Sequence, residues 1–407
     1  MAASLPPKTT RPKARKEAHG RPPGGTGTPA AAVAQRNPRA PAEPASENDR
    51  AMMARALALA ARGLYTTTPN PRVGCVIARG TEVLAEGWHE RAGGPHAEAA
   101  ALADAKAKGR DVRGATAYVT LEPCNHDGRT PACAAALIAA GVARVVVAME
   151  DPNPVASGGA RRLRDAGIAV EVGLLEAEAR ELNAGFVSVM TRGRPWVRTK
   201  LAASLDGKTA LAGGESRWIT GPEARADGHA WRARACAILT GIGTVRDDDP
   251  ALTVREVATP RQPLVVVVDR NAETPPGARV LAAGNALVVT AGAANPAWPA
   301  GVRTLVLPDG DGRVDLPAMM RELAAAGVNE LHVEAGARLN GALLGAGLVD
   351  EVLLYVAPSV IGDPARGMFA RSDALARLAD RTQLAFTSVE RVGADLRIVA
   401  RIVRGEG

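Results

Sequence analysis

Three side chains that bind soft metal ions, in the stretch from His96 to Cys133, constrain the fold of this chain more than any other feature. Glu98 lies two residues after His96, and Cys124 follows Pro123 directly, nine positions before Cys133. One imidazole and two thiolates are suitable protein ligands for zinc, and they leave a fourth tetrahedral position for water, as in catalytic zinc sites. The chain must therefore adopt a fold that brings three separated segments together.

These residues follow the order used by zinc deaminases, H-x-E and then P-C-x-x-C. In that chemistry a bound zinc ion lowers the pKa of a water molecule, and the glutamate, here Glu98, transfers protons. The spacing differs, because eight residues separate Cys124 from Cys133. The alternatives are a chance coincidence and a structural zinc site, with His126 or His89 as the fourth ligand. A carboxylate at the H-x-E position favours the catalytic interpretation.

Apolar runs of strand length alternate with helical segments, which predicts α/β layering. In the first half we predict strands at residues 73–78, 83–88, 115–121 and 144–149, and helices from His96 and Pro131 and over residues 177–190. Residues 191–195 are predicted to form a linker, after which the alternation starts again. We therefore predict two α/β domains, residues 49–193 and 194–407, with the metal ligands at strand ends and helix N-termini.

The net charge of +7 is concentrated at one end of the chain. Residues 1–50 contain nine Lys or Arg and four Asp or Glu, a net +5, which leaves +2 for the rest. The folded part therefore lacks the strong basic character of a nucleic-acid-binding face. Residues 1–48 are rich in Pro, Gly and Ala and are predicted to be a disordered basic tail; a transit peptide and a start codon assigned too early are the alternatives.

Cysteine use and hydropathy favour a cytoplasmic location. Four cysteines in 407 residues are too few for a disulfide scaffold, and two of them have a metal-binding interpretation. No apolar run approaches the length of a membrane span, and the N-terminus lacks the apolar core of a signal peptide.

Two polar residues near the metal ligands are candidates for binding a substrate ring. Asn70 offers both a donor and an acceptor, but it also lies between two prolines and could simply form a turn. His89 is either a residue of the binding pocket or the exposed end of a strand hairpin. The sequence leaves both questions open.

Several motifs together resemble the bifunctional deaminase/reductase of riboflavin biosynthesis. In the first half they are T-P-N-P at residues 68–71, V-G-C at 73–75, G-W-H at 87–89, G-P-H-A-E at 94–98 and E-P-C at 122–124. In this family the second zinc cysteine does end a C-x8-C segment, so the long spacing is a family feature. His126, Asp127, Gly128 and Arg129 within that segment look suited to a phosphoribosyl substrate, because arginine pairs well with phosphate.

The resemblance extends to the second half, for which it implies a reductase domain similar in fold to dihydrofolate reductase. The matching segments are residues 200–208, 215–220, 241–245, 247–255 and 333–341. Without the family, this half has only weak signals. Gly336 lies after a predicted strand and before a predicted helix, where backbone N–H groups can bind phosphate, but residues 334–336 do not form a G-x-G-x-x-G fingerprint. Gly241 and Gly243 follow the predicted strand 237–240 as a short glycine pair, and an ordinary tight turn from strand to helix is an equally good interpretation of them.

The family implies a set of site residues for both halves. The implied zinc ligands are His96, Cys124 and Cys133, the catalytic residue is Glu98, and the deaminase substrate contacts are Asn70 and His89. The implied NADPH contacts are Ala202, Trp218, Thr244, Asp248, Gly336, Ala337, Arg338, Leu339, Asn340, Gly341 and Ala342. The implied substrate contacts of the reductase are Ser216, Arg232, Leu252, Arg255 and Glu334, with the two arginines on the phosphate.

Two positions depart from the family pattern. Cys236 stands where the family often has Asp, and Arg270 follows Asp269 where the family usually has a serine that contacts the cofactor. An arginine could still meet the 2′-phosphate of NADPH. Neither departure affects the zinc site.

The sequence thus predicts a cytoplasmic enzyme that deaminates 2,5-diamino-6-(5-phosphoribosylamino)pyrimidin-4(3H)-one and then reduces its ribosyl group with NADPH. We expect zinc and NADPH as cofactors, a small-molecule substrate, a homo-oligomer (dimer or tetramer), and no nucleic-acid or membrane partner. The rival hypotheses are a tRNA deaminase with an accessory domain and a non-catalytic regulatory homologue. The low charge outside the tail and the scarcity of aromatic residues oppose the first, and the intact zinc-site residues oppose the second.

Overall fold

A computed structural model describes residues 46–126, 131–282, 284–371 and 374–404. In the first half the elements are α1 (Glu47–Ala61), β1 (Gly74–Arg79), β2 (Glu82–Trp88), α2 (Ala97–Ala107), β3 (Thr116–Val119), α3 (Cys133–Ala140), β4 (Arg144–Val147), α4 (Gly159–Asp165), β5 (Ala169–Val172), α5 (Glu176–Leu182) and α6 (Ala184–Arg192). The strands form one sheet in the order β2-β1-β3-β4-β5, in which β1 pairs antiparallel with both neighbours and β3, β4 and β5 are parallel.

Helices cover this first sheet closely. Strand β1 is buried along five of its six residues, as expected for a central strand covered on both faces. Glycines allow the helices to approach: a Cβ atom on Gly74 would lie 2.0 Å from the carbonyl oxygen of Ala56 in α1, and one on Gly87 would lie 2.4 Å from the backbone nitrogen of Ala101 in α2. Helix α2 is thereby held against the hairpin that precedes His96.

The second half contains β6 (Trp196–Ser204), β7 (Lys208–Ala210), α7 (Pro222–Arg234), β8 (Ala237–Gly241), α8 (Ile242–Asp248), β9 (Leu264–Val268), α9 (Arg279–Ala282), β10 (Ala286–Thr290), β11 (Arg303–Val306), α10 (Leu316–Ala325), β12 (Glu330–Val333), α11 (Ala337–Gly345), β13 (Glu351–Ala357), β14 (Arg366–Gly367), a 3-10 helix (Leu378–Asp380), β15 (Leu384–Val392) and β16 (Asp395–Ile402). Nine strands form a sheet in the order β11-β10-β9-β8-β12-β6-β13-β16-β15. Its strands run parallel from β11 to β13, and β16 and β15 are antiparallel. The predicted α/β class is confirmed for both halves.

The structure corrects three predicted boundaries. The helix predicted over residues 177–190 is two helices, because the buried side chain of Asn183 hydrogen-bonds the backbone of Arg72 through both its oxygen and its nitrogen and interrupts the helix there. The predicted linker at 191–195 begins inside α6, which ends at Arg192 and is capped by Gly193 with a φ of 65°. Helix α1 is capped by Ser46 and begins at Glu47, inside the predicted tail, whereas residues 1–45 lie outside the described residues.

Short elements were missed as well. The glycines at 241–243 lie where β8 runs directly into α8, and the small pair of β7 with β14 was not predicted. Both are too short to show a hydrophobic period in the sequence. Among the described residues, none of the helices is long and apolar enough to cross a membrane.

Asp49 connects α1 to the sheet. Its carboxylate accepts hydrogen bonds from the hydroxyl of Tyr118 (2.7 Å), from both terminal nitrogens of Arg144 (2.7 and 3.2 Å) and from the backbone nitrogen of Ser46 (3.1 Å). Arg144 is the main cause of a pKa of Asp49 well below its ordinary value. The carboxylate therefore stabilises the fold in its ionised form.

We predict that Asp49→Asn destabilises the protein by about 2–4 kcal/mol, because it removes one partner of a buried, hydrogen-bonded ion pair. Since the folded-state pKa is depressed, this contribution is present above the unfolded pKa of about 4 and is lost as the pH falls through the lower folded pKa. Denaturant unfolding of both proteins at pH 7 and below pH 4 measures the difference. Glu176→Gln, which breaks the exposed pair with Arg180, is the control and should cost less than about 1 kcal/mol.

Candidate active sites

The three metal-binding side chains of the first half converge at the ends of three different segments. His96 is the N-cap residue of α2, Cys124 follows β3, and Cys133 is the first residue of α3. Their donor atoms all lie within 4.8 Å of one another. Strand β3 and the N-termini of α2 and α3 thus meet at one point, as predicted from the alternation of elements.

The distances between the donors suit a tetrahedral metal ion. His96 Nδ1 lies 3.3 Å from Cys133 Sγ and 3.6 Å from Cys124 Sγ. Zinc–nitrogen bonds of about 2.0 Å and zinc–sulfur bonds of about 2.3 Å at tetrahedral angles would separate such donors by about 3.6 Å. Two thiolates and one imidazole at this spacing therefore fit zinc.

The cluster also favours the thiolate form of Cys124. The pKa of Cys124 is lowered to about 4, first by the hydrogen bond with the Cys133 thiol and then by His96. The backbone nitrogen of Cys133, at the start of α3, donates to Cys124 Sγ at 3.3 Å. The hydrogen bond with Cys124 raises the pKa of His96, and also raises that of Cys133, which holds the shared proton.

Glu98 lies in the first turn of α2, buried beside the donor cluster. Its side chain is 3% exposed, and burial raises the pKa of this carboxyl above the ordinary value for glutamate. It also hydrogen-bonds Cys133. A buried carboxyl with a raised pKa beside the donor cluster is placed to act as a general acid or base.

Asn70 and His89 lie next to this cluster and contact each other. Asn70 Nδ2 is 3.0 Å from His89 Nε2, and His89 Nδ1 is 2.8 Å from the carbonyl oxygen of Pro95. Nδ1 therefore carries the proton and Nε2 accepts, which agrees with burial lowering the pKa of His89. The rings of His89 and His96 are 5.7 Å apart. The structure brings both candidate ring-binding residues to the donor cluster.

The segment between the two cysteines is only partly described. His126 is exposed, whereas Asp127, Gly128 and Arg129, predicted to lie near the phosphoribosyl group, are outside the described residues. The backbone nitrogen of its first residue, Asn125, donates a hydrogen bond to the carbonyl oxygen of Ala156 at 2.9 Å. Just before Cys124, the carboxylate of Glu122 accepts hydrogen bonds from the backbone nitrogens of Gly158 (3.1 Å) and Ala160 (2.9 Å).

The sequence did not assign a role to Asp151. This residue follows β4, the parallel neighbour of β3, and burial raises the pKa of its carboxyl to about 6, with a further contribution from Glu122. Its position after a strand could have indicated a role, because the carboxyl ends of adjacent parallel strands meet at one edge of a sheet.

In the second half, four of the predicted substrate residues lie around Thr253 and Glu334. Arg232 in α7 forms two hydrogen bonds with Glu334, of 2.5 and 2.8 Å, and donates to the carbonyl oxygen of Thr253 at 3.1 Å. Leu252 is buried with a φ of 50°, and Arg255 is exposed, with Nη1 3.1 Å from the hydroxyl of Thr253. Glu334 neutralises the charge of Arg232, so Arg255 is the better candidate for binding a phosphate.

Two bases beside Glu334 were not assigned roles from the sequence. Lys200 is half-buried, and its desolvation lowers its pKa while Glu334 opposes the shift. His332 is buried, with Nε2 3.5 Å from Glu334 Oε1. The sequence did contain an indication of a functional role, because a charged or polar side chain within a buried strand is costly unless it has a partner.

The predicted cofactor residues fall into two groups at the strand ends. Gly336 is the N-cap residue of α11, and a Cβ atom there would lie 3.8 Å from Thr244 Oγ1 in α8. Ser216 donates to Asp248 at 3.3 Å beside a cleft of about 320 Å³ lined by residues 213–217, 247 and 248. Trp218 is 70% exposed, with the guanidinium of Arg225 4.5 Å above its ring.

The other predicted cofactor residues have different surroundings. Ala202 lies in β6, and Ala337, Arg338, Leu339 and Ala342 lie in α11. Asn340 is fully buried, and its amide donates to the carbonyl oxygen of Ala335 at 2.9 Å. The side chain of Asn340 therefore faces the protein interior.

Cys236 and Arg270, the two residues that depart from the family pattern, lie in different environments. Cys236 Sγ accepts a hydrogen bond from the backbone nitrogen of Glu330 at 3.3 Å. Arg270 is exposed, with Nη2 3.5 Å from the carbonyl oxygen of Asp311. Cys236 thus takes part in strand packing, and Arg270 is available to solvent.

Gly341 provides a test of whether helix α11 is constrained by packing. A Cβ atom there would lie 1.8 Å from the carbonyl oxygen of Ala370, whereas one on Gly345, in the same helix, would meet open space. We predict that Gly341→Ala lowers the unfolding free energy by roughly 2 kcal/mol or more, because backbone must shift. Gly345→Ala should raise it by up to about 1 kcal/mol through helix propensity. Chemical denaturation of both variants measures this, and equal effects would contradict it.

Comparison with known families agrees with this geometry. A model described as "cytidine and deoxycytidylate deaminase zinc-binding region" matches residues 46–149, and one described as "RibD C-terminal domain" matches residues 195–398. The riboflavin biosynthesis protein RibD of Escherichia coli K12 is 49% identical over 362 residues, which cover 86% of this chain and 98% of that protein. RibD of Haemophilus influenzae is 44% identical, with 87% and 97% covered.

Solved structures agree along the same length. Acinetobacter baumannii RibD has a TM-score of 0.81 at 41% identity, covering 88% of this chain and 99% of that one. A diaminohydroxyphosphoribosylaminopyrimidine deaminase/5-amino-6-(5-phosphoribosylamino)uracil reductase from Thermotoga maritima has a TM-score of 0.80 at 34% identity, with the same coverage.

Fold and site together define a two-domain protein in which a deaminase-type zinc-binding domain is followed by a reductase domain similar to dihydrofolate reductase. The chain belongs to the RibD family of riboflavin biosynthesis proteins.

Proposed function

We propose that this chain deaminates 2,5-diamino-6-(5-phosphoribosylamino)pyrimidin-4(3H)-one and then reduces the ribosyl group of the product to ribityl. The observation that carries this proposal is the convergence of His96, Cys124 and Cys133 beside the buried carboxyl of Glu98. The reductase domain in the same chain supports the second step, and the Thermotoga maritima relative, named for a deaminase and a reductase activity, agrees with both.

His96, Cys124 and Cys133 would hold a zinc ion, with the thiolate form favoured by the low pKa of Cys124. When bound, zinc supplies a Lewis acid that activates water at neutral pH. Water adds to the ring carbon bearing the exocyclic amine, the carbon–nitrogen bond breaks, and ammonia leaves as a carbonyl forms. The deamination also needs a group that transfers protons and side chains that bind the pyrimidine ring.

Glu98 is the proton carrier in this proposal. It takes a proton from the attacking water and delivers protons to the ring nitrogen and the leaving amine. Burial raises its pKa, which suits a group that must both accept and return a proton. Asn70 and neutral His89 hold the ring: the amide of Asn70 has a donor and an acceptor, and its hydrogen bond with His89 orients it.

For the second step, bound NADPH would supply a hydride to C1′ of the ribosyl group, the bond between C1′ and the ring oxygen would break, and that oxygen would take up a proton. We assign the cofactor to the turns at Thr244 and Gly336, where backbone N–H groups at a helix N-terminus suit phosphate. Arg255 binds the substrate phosphate, and Glu334, held by Arg232, hydrogen-bonds the sugar or base. Positioning the sugar against the nicotinamide is the main task of the domain.

The rival hypotheses are less well supported. An enzyme acting on nucleic acid is opposed by the family match over most of the chain and by the small charge outside residues 1–50. A non-catalytic homologue is opposed by the retention of Glu98 and all three donors. A cytoplasmic location and a homo-oligomer, dimer or tetramer, complete the proposal.

We predict that Glu98→Gln lowers the kcat of deamination by at least about a hundredfold, because the amide cannot transfer the proton. Release of ammonia from the diaminopyrimidine phosphate measures the activity. Zinc content, measured by elemental analysis, should remain one per chain, and Glu82→Gln, an exposed residue of β2, is the control. Normal turnover by Glu98→Gln would refute this mechanism.

We predict that Arg255→Ala raises the KM for the deaminated substrate at least tenfold, because it removes a charge-assisted phosphate contact. Oxidation of NADPH, followed by absorbance with the deaminated substrate supplied, measures it. Arg377→Ala, at an exposed arginine paired with Asp380 in the same half, should leave the KM unchanged. An equal KM in the Arg255 variant would mean that the phosphate binds elsewhere.

A further inference from the structure

The loop that carries Asn70 is anchored by the second half of the chain. Asn329 Nδ2 donates a hydrogen bond to the carbonyl oxygen of Pro69 at 2.8 Å, and Arg261 Nε donates to the carbonyl oxygen of Tyr65 at 2.9 Å. Asn329 is 6% exposed, so water does not readily replace its hydrogen bond. The deaminase loop therefore depends on a side chain that belongs to the reductase.

The other end of the loop has a second anchor. Arg72 Nη1 lies 2.7 Å from Glu330 Oε1, and its backbone nitrogen donates to Asn183 Oδ1 at 2.8 Å. Glu330 also pairs with Arg234 and Arg198. Burial alone would raise the pKa of Glu330, but the three arginines hold it well below its ordinary value. Glu330 is thus a fixed charge to which Arg72 is tied.

Asn70 lies between these anchors. The carbonyl of Pro69 is part of the peptide group that includes the backbone nitrogen of Asn70, and this group is planar. A hydrogen bond to that carbonyl therefore fixes the orientation of the backbone at Asn70, and with it the direction in which the Asn70 side chain points. Asn70 then reaches His89 Nε2 at 3.0 Å, and its backbone nitrogen donates to Thr67 at 2.8 Å.

We propose that Asn329 is a positioning residue for deamination, acting through the Pro69 carbonyl to place the Asn70 amide at the pyrimidine. The inference rests on the proposed function and adds a contribution of the reductase domain to the deaminase site. Asn329 immediately precedes β12, and Glu334 of the reductase site immediately follows it. One strand, paired on both sides by β6 and β8, therefore supports both sites.

Asn329→Asp tests the proposal, because a carboxylate of the same shape cannot donate to a carbonyl. We expect kcat/KM for deamination to fall about tenfold, mainly through KM, with zinc content unchanged. Reductase kinetics with the deaminated substrate supplied should stay within twofold of wild type. Asn285→Asp is the matched control, since Asn285 Nδ2 donates to the carbonyl oxygen of Pro263 at 3.1 Å within the reductase half; neither activity should change.

A double-mutant cycle separates positioning from general stability. In an Asn70→Ala background, Asn329→Asp should lower kcat/KM for deamination by less than twofold, because its effect passes through the missing amide. A further tenfold loss in that background would overturn the proposal. Asn329→Ser, which is smaller and cannot span the distance, gives the same comparison if the aspartate variant does not fold.

Two other results would also overturn it. One is a deamination kcat/KM within twofold of wild type in Asn329→Asp. The other is an equal fall in both activities, which would mean that Asn329 only stabilises the fold. Failure of the proposed function is recognised separately, because the wild-type enzyme would then release no ammonia from the diaminopyrimidine phosphate.

Discussion

The ion cluster around Glu330 is the interaction on which the arrangement of the two halves depends. This carboxylate is 1% exposed at the start of β12 and pairs with Arg72 from the first half and with Arg198 and Arg234 from the second. Removing a charge from such a cluster leaves its partners buried and uncompensated, which costs far more than breaking a surface pair. The deaminase loop and the central strand of the reductase sheet are thereby joined at one buried point.

Both sites are built in the same way. Functional side chains lie where a parallel strand ends and a helix begins, so that backbone N–H groups and helix dipoles face the ligands. In the first half the N-terminus of α3 donates to the Cys124 sulfur; in the second, α11 begins at Gly336 opposite Thr244. In the first site this arrangement stabilises thiolate, and in the second it is the place where we propose that the cofactor phosphate binds.

The metal cluster was the most predictable part of the molecule. His96, Glu98 and the two cysteines could be predicted from residue type and order, because zinc accepts few types of protein ligand. The reductase residues were less predictable: the pairing of Arg232 with Glu334 was not predicted. That pairing joins residues 102 positions apart, and no local pattern indicates it.

The sequence by itself determined the α/β class, most strand positions, the donor set and the family, because these depend on hydrophobic period and on residues whose chemistry is specific. Only the tertiary structure decided that Asn183 divides the last helix of the first half and that Asn329 holds the peptide group before Asn70. It also decided that Gly341 is required by the close approach of Ala370. Each of these depends on a contact between distant segments, whose distance and direction exist only once the chain is folded.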